Sequence, residues 1–184
     1  MVINEDKLWY IIFIIYYCRN FNMFKKFNVY LVVLIAFLFS YVVRAADIKL
    51  ETKEYKFYKI KGSYDDVRVD LDYAITGLGI KVNGVSHIAT MLERTGKDIG
   101  RTKKMYDHAE AIQFCSATLS RNMMEADPMN ISFCPYIIYI FSFPKEKKTI
   151  YLGYRKLPEL SSAASKKAVA AIIKTYEDII ADAQ

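Results

Sequence analysis

Two neighbouring runs of strand-forming residues near the C-terminus constrain the fold of this chain most. Residues 136–143 and 149–155 are rich in β-branched and aromatic side chains. The polar stretch 144–148 between them has the length of a hairpin connection. The two runs therefore predict an antiparallel hairpin against which the rest of the domain has to pack.

Further strands and helices are expected on both sides of this hairpin. Residues 53–60 and 111–115 are strand-like, and residues 80–88 read as a strand with a turn or bulge at Asn83-Gly84. Capping patterns predict helices that begin at Ser63, Thr90 and Ser116 and end at Gly77, Gly96 and Asp127, and residues 103–110 read as a further short helical piece. Residues 161–183 carry apolar side chains at helical spacing, which predicts a long amphipathic C-terminal helix.

The order of these elements predicts the fold class. The order is β-α-β, then short helices, then β-α-β-β-α. This order suits an α+β fold, a two-layer sandwich with a mostly antiparallel sheet and helices on one face. We expect residues 47–184 to form one such domain, because their number matches a single ordinary core.

The first 46 residues have the composition of a targeting segment. Lys25 and Lys26 form a short basic head, residues 29–43 are almost continuously apolar, and Ala45 and Ala46 precede the charged Asp47. This pattern is that of a secretory signal peptide, so we expect cleavage near Ala45/Ala46 and a periplasmic or secreted protein. The alternative is a retained anchor facing the periplasm, in which case this segment alone would contact the membrane.

A second apolar run lies further upstream. Residues 8–18 are too few to span a bilayer and are not preceded by a basic head of their own. The simplest interpretation is that Met23 is the true start and that residues 1–22 are a translation artefact. A genuine tandem hydrophobic N-terminus is the alternative, and it would favour a membrane tether.

The charge of the chain argues against a nucleic-acid partner. The formal net charge is +6, but residues 47–184 hold 21 basic and 18 acidic side chains and therefore carry only +3. These charges are interspersed, without the one-sided basic stripe that binding to DNA or RNA requires. The expected partner is a small ligand or a protein. A second copy of this chain, forming a homodimer, is one such protein partner.

No catalytic or cofactor-binding motif is recognised in the chain. The sequence contains no glycine-rich phosphate loop, no Gly-x-Ser-x-Gly elbow, and no Cys-x-x-Cys or Cys-x-x-Cys-His pattern. The sequence therefore leaves enzymatic activity open while favouring a non-catalytic role, and we predict no bound cofactor.

Two cysteines are the residues most worth testing. Cleavage of the signal peptide would remove Cys18 and leave Cys115 and Cys134. An even number of cysteines in an exported protein favours one disulfide, which would close a loop of about 20 residues. A redox-active thiol pair is one alternative.

A soft-metal site is the second alternative. Thiolates and thioethers bind copper(I), and a copper or haem-type site could recruit nearby methionines and histidines. The candidate ligands besides the two cysteines are His87, His108, Met123, Met124 and Met129. Methionines on an amphipathic helix more often fill the core, and the histidines more often lie at the surface or bind backbone groups.

The element order and one stretch of sequence resemble a known family. Residues 111–158 read AIQFCSATLSRNMMEADPMNISFCPYIIYIFSFPKEKKTIYLGYRKLP. This stretch resembles the domain-of-unknown-function family 302 in its exported two-cysteine form, with Phe133-Cys134-Pro135-Tyr136 at the family's step into the hairpin. The resemblance covers residues 53–158 and implies a small α+β fold without an established activity.

Two classes of function follow for this chain. The first is a non-catalytic binding or accessory domain that is held by a disulfide and presents an aromatic-rich surface. The second is a redox or metal protein that uses Cys115 and Cys134. The state of the two thiols distinguishes these classes.

Overall fold

The computed structural model describes residues 47–184. The expected signal peptide, its cleavage site and the alternative start at Met23 lie outside the described residues. Within residues 47–184, no helix combines the length and the apolar composition needed to cross a membrane.

The described part of the chain folds as an α+β domain. Its elements, in chain order, are β1 (Asp47–Glu51), β2 (Tyr55–Lys61), α1 (Tyr64–Gly77), β3 (Lys81–His87), α2 (Ile88–Asp98), β4 (His108–Cys115), α3 (Ala117–Ala126), a 3₁₀ helix (Pro128–Phe133), β5 (Tyr136–Ser142), β6 (Thr149–Arg155) and α4 (Ala163–Asp182). The predicted hairpin is the β5–β6 pair, and the predicted C-terminal helix is α4.

All six strands belong to one sheet in the order β1-β2-β6-β5-β4-β3. Every neighbouring pair is antiparallel. The expected bulge in β3 is confirmed by a register shift between Val82 and Gly84. The fold class predicted from the sequence is therefore confirmed.

One face of the sheet forms the core with the helices. Strand side chains that alternate toward this face are buried, namely Tyr58, Ile60, Ile112, Phe114, Tyr136, Ile138, Ile140, Ile150, Leu152 and Tyr154. The amphipathic helices cover them, with Val67, Leu71 and Ile75 from α1 and Ile172, Tyr176 and Ile179 from α4. Burial of this apolar surface is the main stabilising contribution to the domain.

Hydroxyl side chains cap three of the helices, as the sequence analysis expected for two of them. The Oγ atoms of Ser63 and Ser116 accept hydrogen bonds from the backbone N–H groups of Asp66 and Leu119, at 3.2 and 3.4 Å. Ser162 does the same at the start of α4. These bonds satisfy N–H groups that have no partner inside the helix.

Two local predictions were wrong, and one strand was not anticipated. Helix α2 begins at Ile88, so Thr90 lies inside it, and the helix continues past Gly96 to Asp98. Residues 103–110 are not helical, because pairing of β4 with β3 and β5 extends that strand back to His108. Strand β1 was not anticipated, since its pairing with β2 rather than its own pattern defines it.

Candidate functional site

The two cysteines lie close together at one end of the β4–β5 strand pair. Cys115 is the last residue of β4, and its neighbour Phe114 pairs with Tyr136 on β5. Cys134 is the C-cap residue of the 3₁₀ helix, two residues before Tyr136. The register therefore places both thiols at the same end of the sheet, although 18 residues separate them in the chain.

The side chains of this end form a small polar cluster. The side chains of Cys134 and Ser120 lie close enough to the Cys115 thiol to affect its pKa. The Ser120 Oγ atom lies 3.6 Å from the Cys134 Sγ atom and 3.4 Å from the Tyr136 hydroxyl. We call these four residues the thiol cluster. Both cysteines are free thiols in this structure, so the predicted disulfide is not formed in it.

Burial controls the acidity of the thiol cluster. Removal from solvent, and then the nearby Cys134 thiol, raise the pKa of Cys115 above its ordinary value. Burial likewise raises the pKa of Tyr136 to about 12. A thiol with a raised pKa is largely protonated at neutral pH, and a protonated thiol is a weak nucleophile.

Buried hydrogen bonds hold the segment between the cysteines in place. The Asn130 side chain donates to the backbone carbonyl of Met123 at 2.9 Å and to the Ser165 hydroxyl on α4 at 3.1 Å. Asn130 and Ser165 are both buried, so each needs these partners. The sequence analysis did not identify Asn130, because an asparagine in a loop is usually exposed.

The three candidate methionines do not surround the thiol cluster as a set. Met123 is fully buried in the hydrophobic core, Met124 is half-buried, and Met129 is 75% exposed. Within residues 47–184, no three or more histidine, cysteine, aspartate or glutamate side chains are grouped so as to hold a metal ion.

The two histidines lie at the opposite end of β4 from Cys115. His108 is the first residue of β4, and His87 pairs with Glu110 across the β3–β4 ladder. Seven residue steps along a strand correspond to roughly 23 Å. The structure therefore brings His87 near His108 and Cys115 near Cys134, but it keeps the histidines apart from the cysteines.

Each histidine has a defined partner. The Nδ1 atom of His87 lies 2.7 Å from Glu110 Oε1, and the other carboxylate oxygen of Glu110 accepts a hydrogen bond from Arg68 Nε at 2.7 Å. Burial alone would raise the pKa of Glu110, but the hydrogen bonds from Arg68 and His87 hold it below its ordinary value. The His108 ring stacks on the ring of Tyr64, with centroids 4.3 Å apart.

The face of the sheet opposite the core carries a continuous layer of aromatic rings. We call it the aromatic face, and it consists of Tyr55, Phe57, Tyr106, Tyr139, Phe141, Phe143 and Tyr151. Six of these side chains are half-buried and Tyr151 is buried. Within the described residues, none of their ring contacts involves a helix residue.

A glycine and an ion pair shape this face. Gly153 lies between Phe57 and Tyr139 in the sheet, and a Cβ atom there would come within 2.5 Å of the Phe57 ring. The Lys59 ammonium lies 5.6 Å from the Tyr151 ring centroid and 2.9 Å from Glu146, which also accepts from the Tyr151 hydroxyl. Aromatic side chains at alternate positions in residues 55–58 and 137–143 indicate this face. The sequence analysis considered them only as an aromatic-rich composition.

Comparison with known proteins identifies the fold. No protein-family profile matches the chain, and no curated protein matches it. Among solved structures, the chain is similar to an uncharacterized conserved protein, DUF302, from Bacillus stearothermophilus, with a TM-score of 0.59 and 13% identity. The match covers 71% of this chain and 98% of that chain. At this identity the likeness shows a DUF302-like fold.

Proposed function

We propose that this chain is an exported, non-catalytic binding domain in which Cys115 and Cys134 form a disulfide. The observation that carries the proposal is that the fold brings the two thiols together at the same end of the β4–β5 pair, near enough for Cys134 to affect the pKa of Cys115. Closing the bond removes one hydrogen from each thiol and passes two electrons to a thiol-oxidising catalyst of the export compartment. The domain is then a member of family 302 in its exported two-cysteine form.

A structural disulfide agrees better with the thiol cluster than a redox site does. A redox-active pair needs at least one thiol with a lowered pKa and good access to solvent. The pKa of Cys115 is raised instead, which argues against Cys115 as the attacking thiol, and both cysteines are partly buried. The disulfide would close the segment 116–133 and restrain α3, contributing about 3 kcal/mol in the chain-entropy description.

The copper alternative has less support from the same geometry. Copper(I) would need further soft ligands beside the two thiols. Met123 is enclosed by the core, Met129 is largely exposed, and the histidines lie at the other end of β4.

The aromatic face is the surface we propose for the protein partner, and we propose that this partner is a second copy of the chain. A sheet face with exposed parts of many rings favours contact with another apolar surface. A two-fold axis can stack identical faces of two sheets at the ordinary distance of about 10 Å. Tyrosine and phenylalanine are also enriched in the centres of protein interfaces.

Equilibration with glutathione buffers distinguishes the disulfide from the alternatives. The purified domain is incubated at stepwise ratios of reduced to oxidised glutathione and then alkylated, so that the free thiols can be counted by mass. We expect the protein to stay oxidised over the range found in export compartments and to bind no copper in that state. Half-reduction within that range would indicate a redox pair, and stoichiometric copper on free thiols would indicate the metal site.

A further inference from the structure

A cleft of about 700 Å³ lies between helix α2 and the segment 99–106 that follows it. This volume is in the range of cavities that bind small molecules. The cleft, which we call the α2 cleft, is separate from the thiol cluster, shares Tyr106 with the aromatic face, and would bind a ligand in addition to the partner proposed above.

Two glycines bring the segment against the helix. The Arg101 backbone N–H donates to the Gly96 carbonyl at 2.7 Å, and a Cβ atom at Gly96 would lie only 2.4 Å from the Arg101 carbonyl oxygen. Gly100 has a φ of +68°, a conformation that residues with side chains rarely adopt. The backbone therefore reverses at Gly100 directly after α2, and Arg101 lies against the last turn of the helix at Gly96, which forms one wall of the cleft.

Three large apolar side chains that line the α2 cleft are exposed. Leu92, Ile99 and Met105 are 37%, 67% and 50% exposed, respectively. Ala89 and Tyr106 extend the same lining. Concentrated apolar exposure of this kind marks a surface that binds another apolar group.

Positive charges that also line the cleft have no partners. The side chains of Lys97, Arg101 and Lys103 are exposed, and they form no ion pair or hydrogen bond within the part of the chain that the structure describes. The neighbouring Lys104 is neutralised by Asp107 at 2.8 Å, and Glu93 is the one acidic residue of the lining. The cleft therefore combines an apolar surface with an excess of free cationic groups.

We propose that the α2 cleft binds a single-chain amphiphile with an anionic head group, such as a long-chain carboxylate. The apolar chain lies against Leu92, Ile99 and Met105, where it removes exposed hydrocarbon surface from water. The head group interacts with Lys97, Arg101 and Lys103, which supply charge-assisted hydrogen bonds. The charge complementarity selects an anionic amphiphile over a neutral or cationic one.

Calorimetric titration with ligands of one chain length tests this proposal. The probes are decanoate, decyl maltoside and decyltrimethylammonium, all below their micelle concentrations, with acetate to test the head group alone. We expect saturable binding of decanoate, at least tenfold weaker binding of the other three, and loss of decanoate affinity with added salt.

Matched charge variants complete the experiment. The variant Lys97→Gln, Arg101→Gln, Lys103→Gln should weaken decanoate binding at least tenfold. The control Lys145→Gln, Lys147→Gln, Lys167→Gln removes three exposed lysines outside the cleft lining and should leave the affinity unchanged. Ile99→Ser with Met105→Ser, at exposed positions, should weaken the binding without unfolding the domain.

Four results would overturn the proposal. Equal binding of the three decyl compounds would remove the charge selection, and equal loss in the control variant would indicate diffuse attraction to a positive protein. No binding of decanoate would exclude the ligand class. Binding to vesicles of anionic phospholipid without binding of free decanoate would assign the cleft to a membrane surface instead. The titration is run with and without reductant, so that its outcome does not depend on the disulfide.

Discussion

Cys115 and Cys134 lie at the same end of the β4–β5 strand pair even though 18 residues separate them in the sequence. Their proximity results from the β4–β5 register, in which Phe114 pairs with Tyr136. A fold that brings two thiols to the same end of a sheet favours disulfide formation, which requires Cα atoms within about 7 Å of each other.

The disulfide should contribute measurably to stability. The free energy of unfolding of the oxidised protein should exceed that of the Cys115→Ser, Cys134→Ser variant by about 3 kcal/mol, because the bond restricts the unfolded chain. Urea denaturation followed by circular dichroism measures the difference. After reduction of the wild type the difference should nearly vanish, and equal stability of the oxidised and reduced wild type would contradict the prediction.

Glu110 should make stability dependent on acid pH. Its pKa in the folded protein is lowered, so its contribution is complete above the pKa of the unfolded chain and is lost as the pH falls through the lower folded value. Urea denaturation should show that the free energy of unfolding falls less between pH 6 and about pH 3 for Glu110→Gln than for the wild type.

The control for this series is Glu159→Gln, at an exposed residue whose contact with Lys166 is 3.4 Å. Its pH dependence should match that of the wild type, because exposed ion pairs contribute little. If the free energy of unfolding of Glu110→Gln falls as steeply with decreasing pH as that of the wild type, Arg68 and His87 do not stabilise the Glu110 carboxylate.

The aromatic face should mediate self-association. Replacing Tyr55 and Tyr139 with serine removes two half-buried rings and should shift the protein from dimer to monomer in light scattering over a dilution series. Tyr73→Ser, at a 72% exposed position on α1, is the control and should leave the dimer intact. A monomeric wild type at high concentration would exclude the dimer.

Gly153 should be intolerant of even a methyl group. A Cβ atom there would lie 2.1 Å from the Lys56 carbonyl oxygen, so Gly153→Ala has to displace backbone of β2. We expect a loss of about 1–3 kcal/mol of unfolding free energy, the usual cost of overpacking.

Gly77→Ala is the matched control for this change. Nothing lies within 4 Å of a Cβ atom at Gly77, which is the last residue of α1. Alanine there should be neutral or stabilise by up to about 1 kcal/mol, because it is the better helix former. Equal effects of the two substitutions in thermal denaturation would show that the aromatic face does not depend on close strand packing at Gly153.

The fold was predictable where local patterns agree with tertiary contacts. The apolar spacing in α4 and the β-branched and aromatic runs of β5 and β6 specify both the element and the buried face. Residues 103–110 were misread because His108 and Glu110 are polar, and only their pairing with β5 and β3 makes them part of a strand.

The functional regions were less predictable for a related reason. Sequence reasoning selected Cys115, Cys134, His87 and His108 by chemical type, but it could not assign them to opposite ends of β4. Gly96 was expected to end a helix, whereas the helix continues to Asp98 and the chain reverses at Gly100, which has a positive φ. The relation between the cysteines and the histidines depends on pairing between distant strands, which local patterns do not encode.

Intact mass of the protein after export, with and without reduction and alkylation, tests the central claim most directly. The account predicts a chain that starts at Ala46 or Asp47, lacks two hydrogens relative to the dithiol, contains no metal, and gains two alkyl groups only after reduction. An uncleaved chain, or two thiols that are alkylated without reduction, would contradict it.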